Sequence, residues 1–281
     1  LRQFEGVIET VAGYANGNIP SPSYEQVYTD STGYAECVKV TYDPEITGLE
    51  TLCRLFFKSI DPLSKNRQGN DCGTRYRTGI YWTDEEDRKI IERVYDQMQE
   101  LYEERMAVEK DALRCFYPAE SYHQDYLVKN PGGYCHLSPY TLSCAGHYAE
   151  IIRELRAHSD VEKKEVLPRF FKTGKGGYGE GDRFIGVTVP QTRKVAKNFR
   201  NLPLDVVELL LETEGHESRL CGLLRLGEKY RKDPERIVRF YLSHTRWINN
   251  WDLVDLSAPY ILGDYLCTKS DRSILDELAD S

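Results

Sequence analysis

The feature that most constrains the fold is a change of pattern midway along the chain. Strand signals fill the first part and nearly vanish after the loop Asn130-Pro-Gly-Gly-Tyr134. Glu36-Cys-Val-Lys-Val-Thr-Tyr42 alternates so that Glu36, Val38, Val40 and Tyr42 share a face, the pattern of a half-buried strand. Thr47-Gly-Leu-Glu50 reads as a capping box opening a helix through Leu49, Leu52, Leu55 and Phe56. Thr78 to Trp82 predicts another short strand. Thr83-Asp-Glu-Glu86 then caps a helix whose apolar residues Ile90, Ile91, Val94, Met98 and Leu101 follow the 3.6 period.

Beyond an irregular stretch to about Gly146, short helical runs are predicted over 148–158, 163–171, 190–199, 204–212, 217–231, 234–243, 251–265 and 270–279. Pro190 and Pro234 stand at or near first helical positions, where a missing N–H costs least. The chain of 281 residues exceeds one ordinary domain. It therefore reads as an α+β domain with a small mixed sheet over 1–140, then an all-α repeat domain with a concave surface over 147–281, the boundary lying between Cys135 and His147.

Hydrophobic residues at 40% and charged residues at 29% describe a soluble globular protein, and no apolar run approaches a membrane span. The net charge of −8 argues against indiscriminate nucleic-acid binding. It is uneven: residues 1–146 hold 15 basic against 23 acidic residues, residues 147–281 hold 22 of each, and residues 163–200 hold ten basic against three acidic. That last stretch is a candidate anion-facing patch or a solvated helical face. Eight cysteines with no C-x-x-C and no matching His spacing predict neither a metal site nor a disulfide framework, and so a reducing, cytoplasmic compartment. Leu1 is not Met and no basic and apolar leader precedes the globular pattern, so the expectation is a chain processed or cut at its start.

Glu36 is the most informative carboxylate. In an apolar wall its charged form is disfavoured and it can donate a proton near neutral pH; the residues alone favour a structural or edge position. Within Gln68-Gly-Asn-Asp71-Cys-Gly-Thr-Arg-Tyr76-Arg, turn chemistry explains the glycines, and Asp71 with Tyr76 reads equally as a pair lining a site.

Six ordered motifs then resemble the A-type peptide methionine sulfoxide reductases: Gly13-Tyr-Ala-Asn-Gly17; Pro22-Ser-Tyr24; Thr32-Gly-Tyr-Ala-Glu36 with Tyr42-Asp-Pro44; Arg67-Gln-Gly-Asn-Asp71 with Gly73-Thr74 and Tyr76-Arg77; Tyr122-His-Gln-Asp-Tyr-Leu127; and Lys129-Asn-Pro-Gly-Gly-Tyr-Cys-His136. The resemblance runs through residues 1 to about 138. It implies that Glu36 protonates the sulfoxide oxygen, that Tyr24 and Tyr76 donate hydroxyls to it, that Asp71 organises the site and its water, and that Cys135 is the resolving cysteine. It also implies a sulfenic acid, a disulfide and reduction by thioredoxin, with no bound cofactor. The family's nucleophile lies in a Gly-Cys-Phe-Trp motif just ahead of the residues matching Phe4 and Gly6, and this sequence starts after it. Cys72, near the acid cluster, and Cys37 and Cys53, at positions that suit buried small side chains, are not obvious substitutes. The expectation is that these residues alone do not perform the first step.

In the second half, the glycine-rich stretch from Phe170 to Pro190 lacks Walker spacing and reads as a flexible inter-helical loop. Trp251 and Asp255 are i and i+4 on a predicted helix, which puts an aromatic surface beside a carboxylate. That pair suits a cationic planar base, although a Trp packed between helices with a polar neighbour is the reading the residues alone favour. Phe-Phe-Lys-Thr-Gly, Tyr-Gly-Glu-Gly-Asp and these residues resemble the AlkD-like DNA alkylation repair family, a HEAT-like helical fold, over about 148–281. Trp251 and Asp255 fall on its aromatic and acidic site positions; its further Arg and Trp would fall beyond Ser281. The expected whole is a reductase of protein methionine sulfoxide joined to a module for alkylated DNA, without membrane or metal. The rival reading is a non-catalytic DNA-binding helical module, or an alkylpurine glycosylase in the second half.

Overall fold

The computed structural model describes residues 1–279 and divides into two compact units, Leu1–Ser143 and Cys144–Ser281. In the first, β1 (Val7–Ala15) pairs antiparallel with β2 (Ala35–Tyr42) and β7 (Phe116–Pro118), in the order β2-β1-β7. The register sets Tyr14 opposite both Glu36 and Tyr117. Helix α1 (Tyr24–Tyr28) lies between β1 and β2 in sequence and is opened by a capping box of Ser23 and Gln26. Next come α2 (Leu49–Lys58), the tiny hairpin of β3 (Arg67–Gln68) and β4 (Asp71–Cys72), and a 3₁₀ turn over Thr74–Tyr76. Then β5 (Gly79–Trp82) pairs parallel with β6 (Glu109–Ala112), with α3 (Glu85–Gln99) between them. Cys53 and Phe57 of α2 close a core with Ile91, Val94, Tyr95 and Met98 of α3 and with Met106 and Val108.

Helix α4 (Tyr126–Lys129) precedes the Cys135 loop, and α5 (Pro139–Arg156) carries the boundary between the units. The second unit is helical: α6 (Val161–Phe170), α7 (Val189–Asn198), α8 (Leu204–Leu211), α9 (His216–Tyr230), α10 (Pro234–Ser243), α11 (Trp251–Asp255), a π-helical turn over Pro259–Gly263, α12 (Asp264–Cys267) and α13 (Ile274–Ala279). Helix α9 packs against α7, α8, α10 and α11. Its Leu220, Leu223 and Leu226 are buried, as are Val206, Val207, Leu210 and Leu211 of α8. Among the described residues no helix is long and apolar enough to cross a membrane.

Five local expectations need correction. The N-cap of α2 is Gly48 and makes no side-chain bond, so Thr47 caps nothing. Asp84, not Thr83, caps α3 by accepting from the Asp87 N–H. The stretch expected to be irregular to Gly146 is helical from Pro139, because Ser138 Oγ accepts from the Thr141 N–H at 3.0 Å and Pro139 needs no N–H partner there. The single helix expected over 251–265 is broken, since Pro259 has no N–H to offer the preceding turn. Leu101 lies past the end of α3 and is 67% exposed.

Candidate functional site

In the first unit, Glu36 near the start of β2, Tyr24 at the start of α1, Asp71 on β4 and Tyr76 at the end of the 3₁₀ turn act on one another electrostatically. Burial pushes the Glu36 carboxyl up, Arg75 pulls it down, and Asp71 and Asp30 push it up again; the balance is upward. The phenols of Tyr24 and Tyr76 are raised by burial, with Glu36 adding to the rise in each. They are therefore neutral hydroxyl donors at physiological pH. Glu36 Oε1 is buried and accepts no hydrogen bond.

The setting of Glu36 differs from the expectation of an apolar wall. Val38, two residues along the same face, is 54% exposed, so the face is not a buried apolar surface. The side chains that act on it from α1 and the 3₁₀ turn are instead polar: Tyr24, Tyr76 and Arg75. Tyr24 is fixed from behind, where its N–H donates to Glu120 Oε1 at 2.7 Å while Tyr14 Oη donates to Glu120 Oε2 at 2.8 Å. Its ring lies 4.6 Å from that of His123. Burial alone would raise the Glu120 carboxyl, but these donors outweigh it and hold it below its usual value.

Asp71 and Tyr76 are placed by two glycines in the left-handed region, Gly69 at φ +60° and Gly73 at φ +135°. A Cβ at Gly69 would stand 3.5 Å from Tyr134 Oη and 3.6 Å from His136 Cβ, so the residues flanking Cys135 lie over the hairpin that carries Asp71. Cys135 is half-buried. Cys72 is exposed, its thiol 3.7 Å from the Asn70 carbonyl. Burial pushes both Cys37 and Cys53 up to about 12, which suits packing rather than attack. Cys37 is only half-buried, where a buried strand position was expected.

Arg75, Asp30, Tyr14 and Glu120 were missed in the sequence. The Arg75 side chain is only 9% exposed and pairs with Asp30 Oδ2 at 2.9 Å.

In the second unit Trp251 is 47% exposed, stacked on Phe171 with centroids 5.6 Å apart and edge-on to Phe170 at 6.1 Å. Asp255 is exposed on the last turn of α11. The stack continues inward from Phe171 to Phe184 at 5.0 Å and from Phe184 to His216 at 4.4 Å. His216 is buried between two carboxylates, with Nδ1 3.4 Å from Asp182 Oδ2 and Nε2 2.9 Å from Asp252 Oδ2. Burial disfavours the imidazolium, but those two bonds overcome it and raise the pKa. Arg219 Nη2 lies 2.5 Å from Asp182 Oδ1, and Asn249 donates to the same oxygen at 3.0 Å. The glycine-rich stretch is consequently anchored, not a free loop. Arg183 bridges to Gly215, and Glu217 Oε1 accepts from the backbone N–H groups of Ile185, Gly186 and Val187 at 3.1, 2.9 and 3.1 Å.

Glu208, Glu212 and His244 bring potential metal-ligand atoms within 4.8 Å of one another. His244 Nε2 stands 3.4 Å from Glu208 Oε1, and its Nδ1 lies 2.7 Å from the Phe240 carbonyl.

Residues 1–152 match the family model described as peptide methionine sulfoxide reductase. The chain belongs to that family. Residues 151–281 match the model described as DNA alkylation repair enzyme, so a methionine sulfoxide reductase domain is joined to a DNA alkylation repair domain. Among curated relatives, the peptide methionine sulfoxide reductase MsrA of Clostridium acetobutylicum is 53% identical over 133 residues, covering 47% of this chain and 82% of the relative. That of Lachnoclostridium phytofermentans is 49% identical over 132 residues, covering 47% and 80%. Among solved structures, reduced Mxr1 from Saccharomyces cerevisiae aligns at 34% identity with a TM-score of 0.46, over 49% of this chain and 81% of that one.

Proposed function

We propose that the first domain reduces the S diastereomer of protein methionine sulfoxide, with Glu36 as the acid, Tyr24 and Tyr76 as hydroxyl donors to the sulfoxide oxygen, Asp71 as the organiser of that corner and Cys135 as the resolving thiol. The observation that carries the assignment is the buried Glu36 oxygen with no hydrogen-bond donor, beside two neutral phenols. A carboxyl whose charge is disfavoured keeps its proton to higher pH and so is better placed to give it.

A thiolate attacks the sulfoxide sulfur and the oxygen takes the Glu36 proton. The thioether leaves as methionine, with the oxygen retained on the enzyme as a sulfenic acid. The Cys135 thiol then attacks that sulfur, forming a disulfide and releasing water, and the dithiol of thioredoxin reduces the disulfide. We assign the attacking thiolate to the Gly-Cys-Phe-Trp motif of the family, ahead of the position matched by Phe4. The cytoplasm, where thioredoxin is available, is the compartment this cycle needs.

The test is reduction of a methionine sulfoxide peptide with thioredoxin, comparing the 281-residue chain with one extended upstream from its own gene. Activity confined to the extended chain is expected, with Cys135→Ser stopping after one turnover. Activity in neither chain would overturn the reading.

For the second domain, the exposed Trp251 ring stacked on Phe171 favours a platform for a nucleobase, with Asp255 stabilising positive charge on an alkylated one. The basic stretch 163–200 supplies phosphate contacts. Salt-dependent DNA affinity that Trp251→Ala weakens is expected; unchanged affinity would refute the platform.

A further inference from the structure

Arg75 bonds Asp30 and Tyr28 outside the site and is also hydrogen-bonded to Tyr76 within it. Its Nη1 donates to Asp30 Oδ2 at 2.9 Å and to the Tyr28 carbonyl at 3.1 Å, and its backbone N–H donates to Asp30 Oδ1 at 3.0 Å. The guanidinium carbon lies 4.3 Å from the Tyr28 ring centroid and 4.5 Å from that of Tyr76. The Nε is the exception: it is buried without a hydrogen bond and faces Glu36 Oε1, itself unbonded, at 3.8 Å. That separation is too long for a hydrogen bond.

We propose that Arg75 is the positioning residue of Glu36: its Nε receives the carboxylate that Glu36 becomes when its proton passes to the sulfoxide oxygen. The inference rests on the reading of Glu36 as the acid. While Glu36 is protonated it has no charge to pair, and the 3.8 Å gap costs little. Once the proton has left, the carboxylate and the fixed guanidinium close to a charge-assisted bond. The interaction strengthens only as charge develops, which is the condition for lowering a barrier rather than tightening ground-state binding. The Asp30 and tyrosine contacts hold the guanidinium in advance, so only the Glu36 carboxylate has to move at that moment. The ionisable groups acting on Glu36 are Tyr14 from β1, Tyr24 from α1, Asp30 from the loop after α1, Cys37 beside it on β2, Asp71 from β4, and Arg75 and Tyr76 from the 3₁₀ turn. Arg75 is the cation among them.

The experiment is the single-turnover rate of methionine formation from a methionine sulfoxide peptide, without thioredoxin, against pH, in the full-length product of the gene. Arg75→Gln is expected to lower the rate on the order of 10²-fold, the usual cost of losing one preorganised donor. It should also move the alkaline limb to higher pH, because Glu36 keeps its proton longer, and leave KM nearly unchanged. Arg75→Lys, which keeps the charge without the planar fork, should return the limb toward its original place and recover part of the rate. A slower variant whose alkaline limb does not move would make Arg75 merely structural and overturn the proposal. Should Arg75→Gln fail to fold, Arg75→Lys decides alone: a rate and profile identical to the native enzyme's also overturn it. Glu36→Gln separates the two ideas, since full activity there sinks the acid assignment itself, whatever Arg75 does.

Discussion

Asp182→Asn tests whether charge holds the buried network of the second unit. Asp182 accepts from Asn249 and Asn250 and pairs with Arg219 and His216. Burial opposes its ionisation, but the His216 bond and the Arg219 charge prevail and bring its pKa from 3.8 down to about 2. At 1.36 kcal/mol per unit, this is about 2 kcal/mol of stability. The folded-state value is depressed, so the contribution is fully present above the unfolded value near 3.8 and drains away as pH falls through about 2. Asn does not titrate. The stability gap between native and variant chains should therefore be widest near neutrality and narrow as pH drops below about 4. A remainder independent of pH will reflect the poorer partner left to Arg219. Urea unfolding in a Trp82→Phe background reads the second unit alone, because the remaining tryptophans, Trp247 and Trp251, both lie there. A gap that stays constant between about pH 7 and pH 3, or one well under 1 kcal/mol at neutrality, would refute the charge argument.

His216→Leu should act on the opposite side of the pH scale. The folded-state pKa of His216 is raised, so its contribution is complete below about 6.5 and is lost as pH climbs through the folded value; a native stability profile flat on the alkaline side would count against it. Glu217→Gln weakens the acceptor of three buried backbone N–H groups and should cost on the order of 1–3 kcal/mol, with hydrogen exchange at Ile185–Val187 accelerating before the α9 core; unchanged exchange there would show that the segment is held otherwise. Gly73→Ala places a Cβ 2.5 Å from Asp30 Oδ2 at φ +135°, so it should cost about 1–3 kcal/mol and loosen Arg75 together with the turn carrying Tyr76. Its thermal midpoint should fall, and a native midpoint would mean that the turn adapts freely.

How much was legible depended on whether the deciding contact was local. Helix α10 was readable over Pro234–Ser243 because Asp233 and Pro234 are both local signals. Strand β2 was readable from alternation, but alternation says which residues share a face and nothing of what covers it. Tyr24, Tyr76 and Arg75, which act on Glu36, come from α1 and the 3₁₀ turn, so the polar character of its pocket was hidden. The same limit concealed Asp182, His216 and Asp252, whose bonds span 34 and 36 residues. Arg75 is buried where Arg67 and Arg77 are not, which no short pattern in this chain reveals.

One part of that network was nevertheless within reach. If Trp251 and Asp255 share an outward face, successive side chains on α11 turn by about 100°, which aims Asp252 and Leu253 inward. Both are buried, at 5% and 0% exposure. A carboxylate turned into a helical core requires a cation or donors, and the histidine at the start of α9 meets that requirement. The platform and the anchor beneath it thus share one five-residue helix: Trp251 is presented outward because Asp252 is held inward by His216. The ring stack Trp251–Phe171–Phe184–His216 joins the two ends of that arrangement. Loss of the His216 charge should consequently loosen the exposed indole as well as the core. Trp251 fluorescence anisotropy in a Trp82→Phe, Trp247→Phe background would register this as a fall in the His216→Leu variant, and an unchanged value would separate the platform from the buried network.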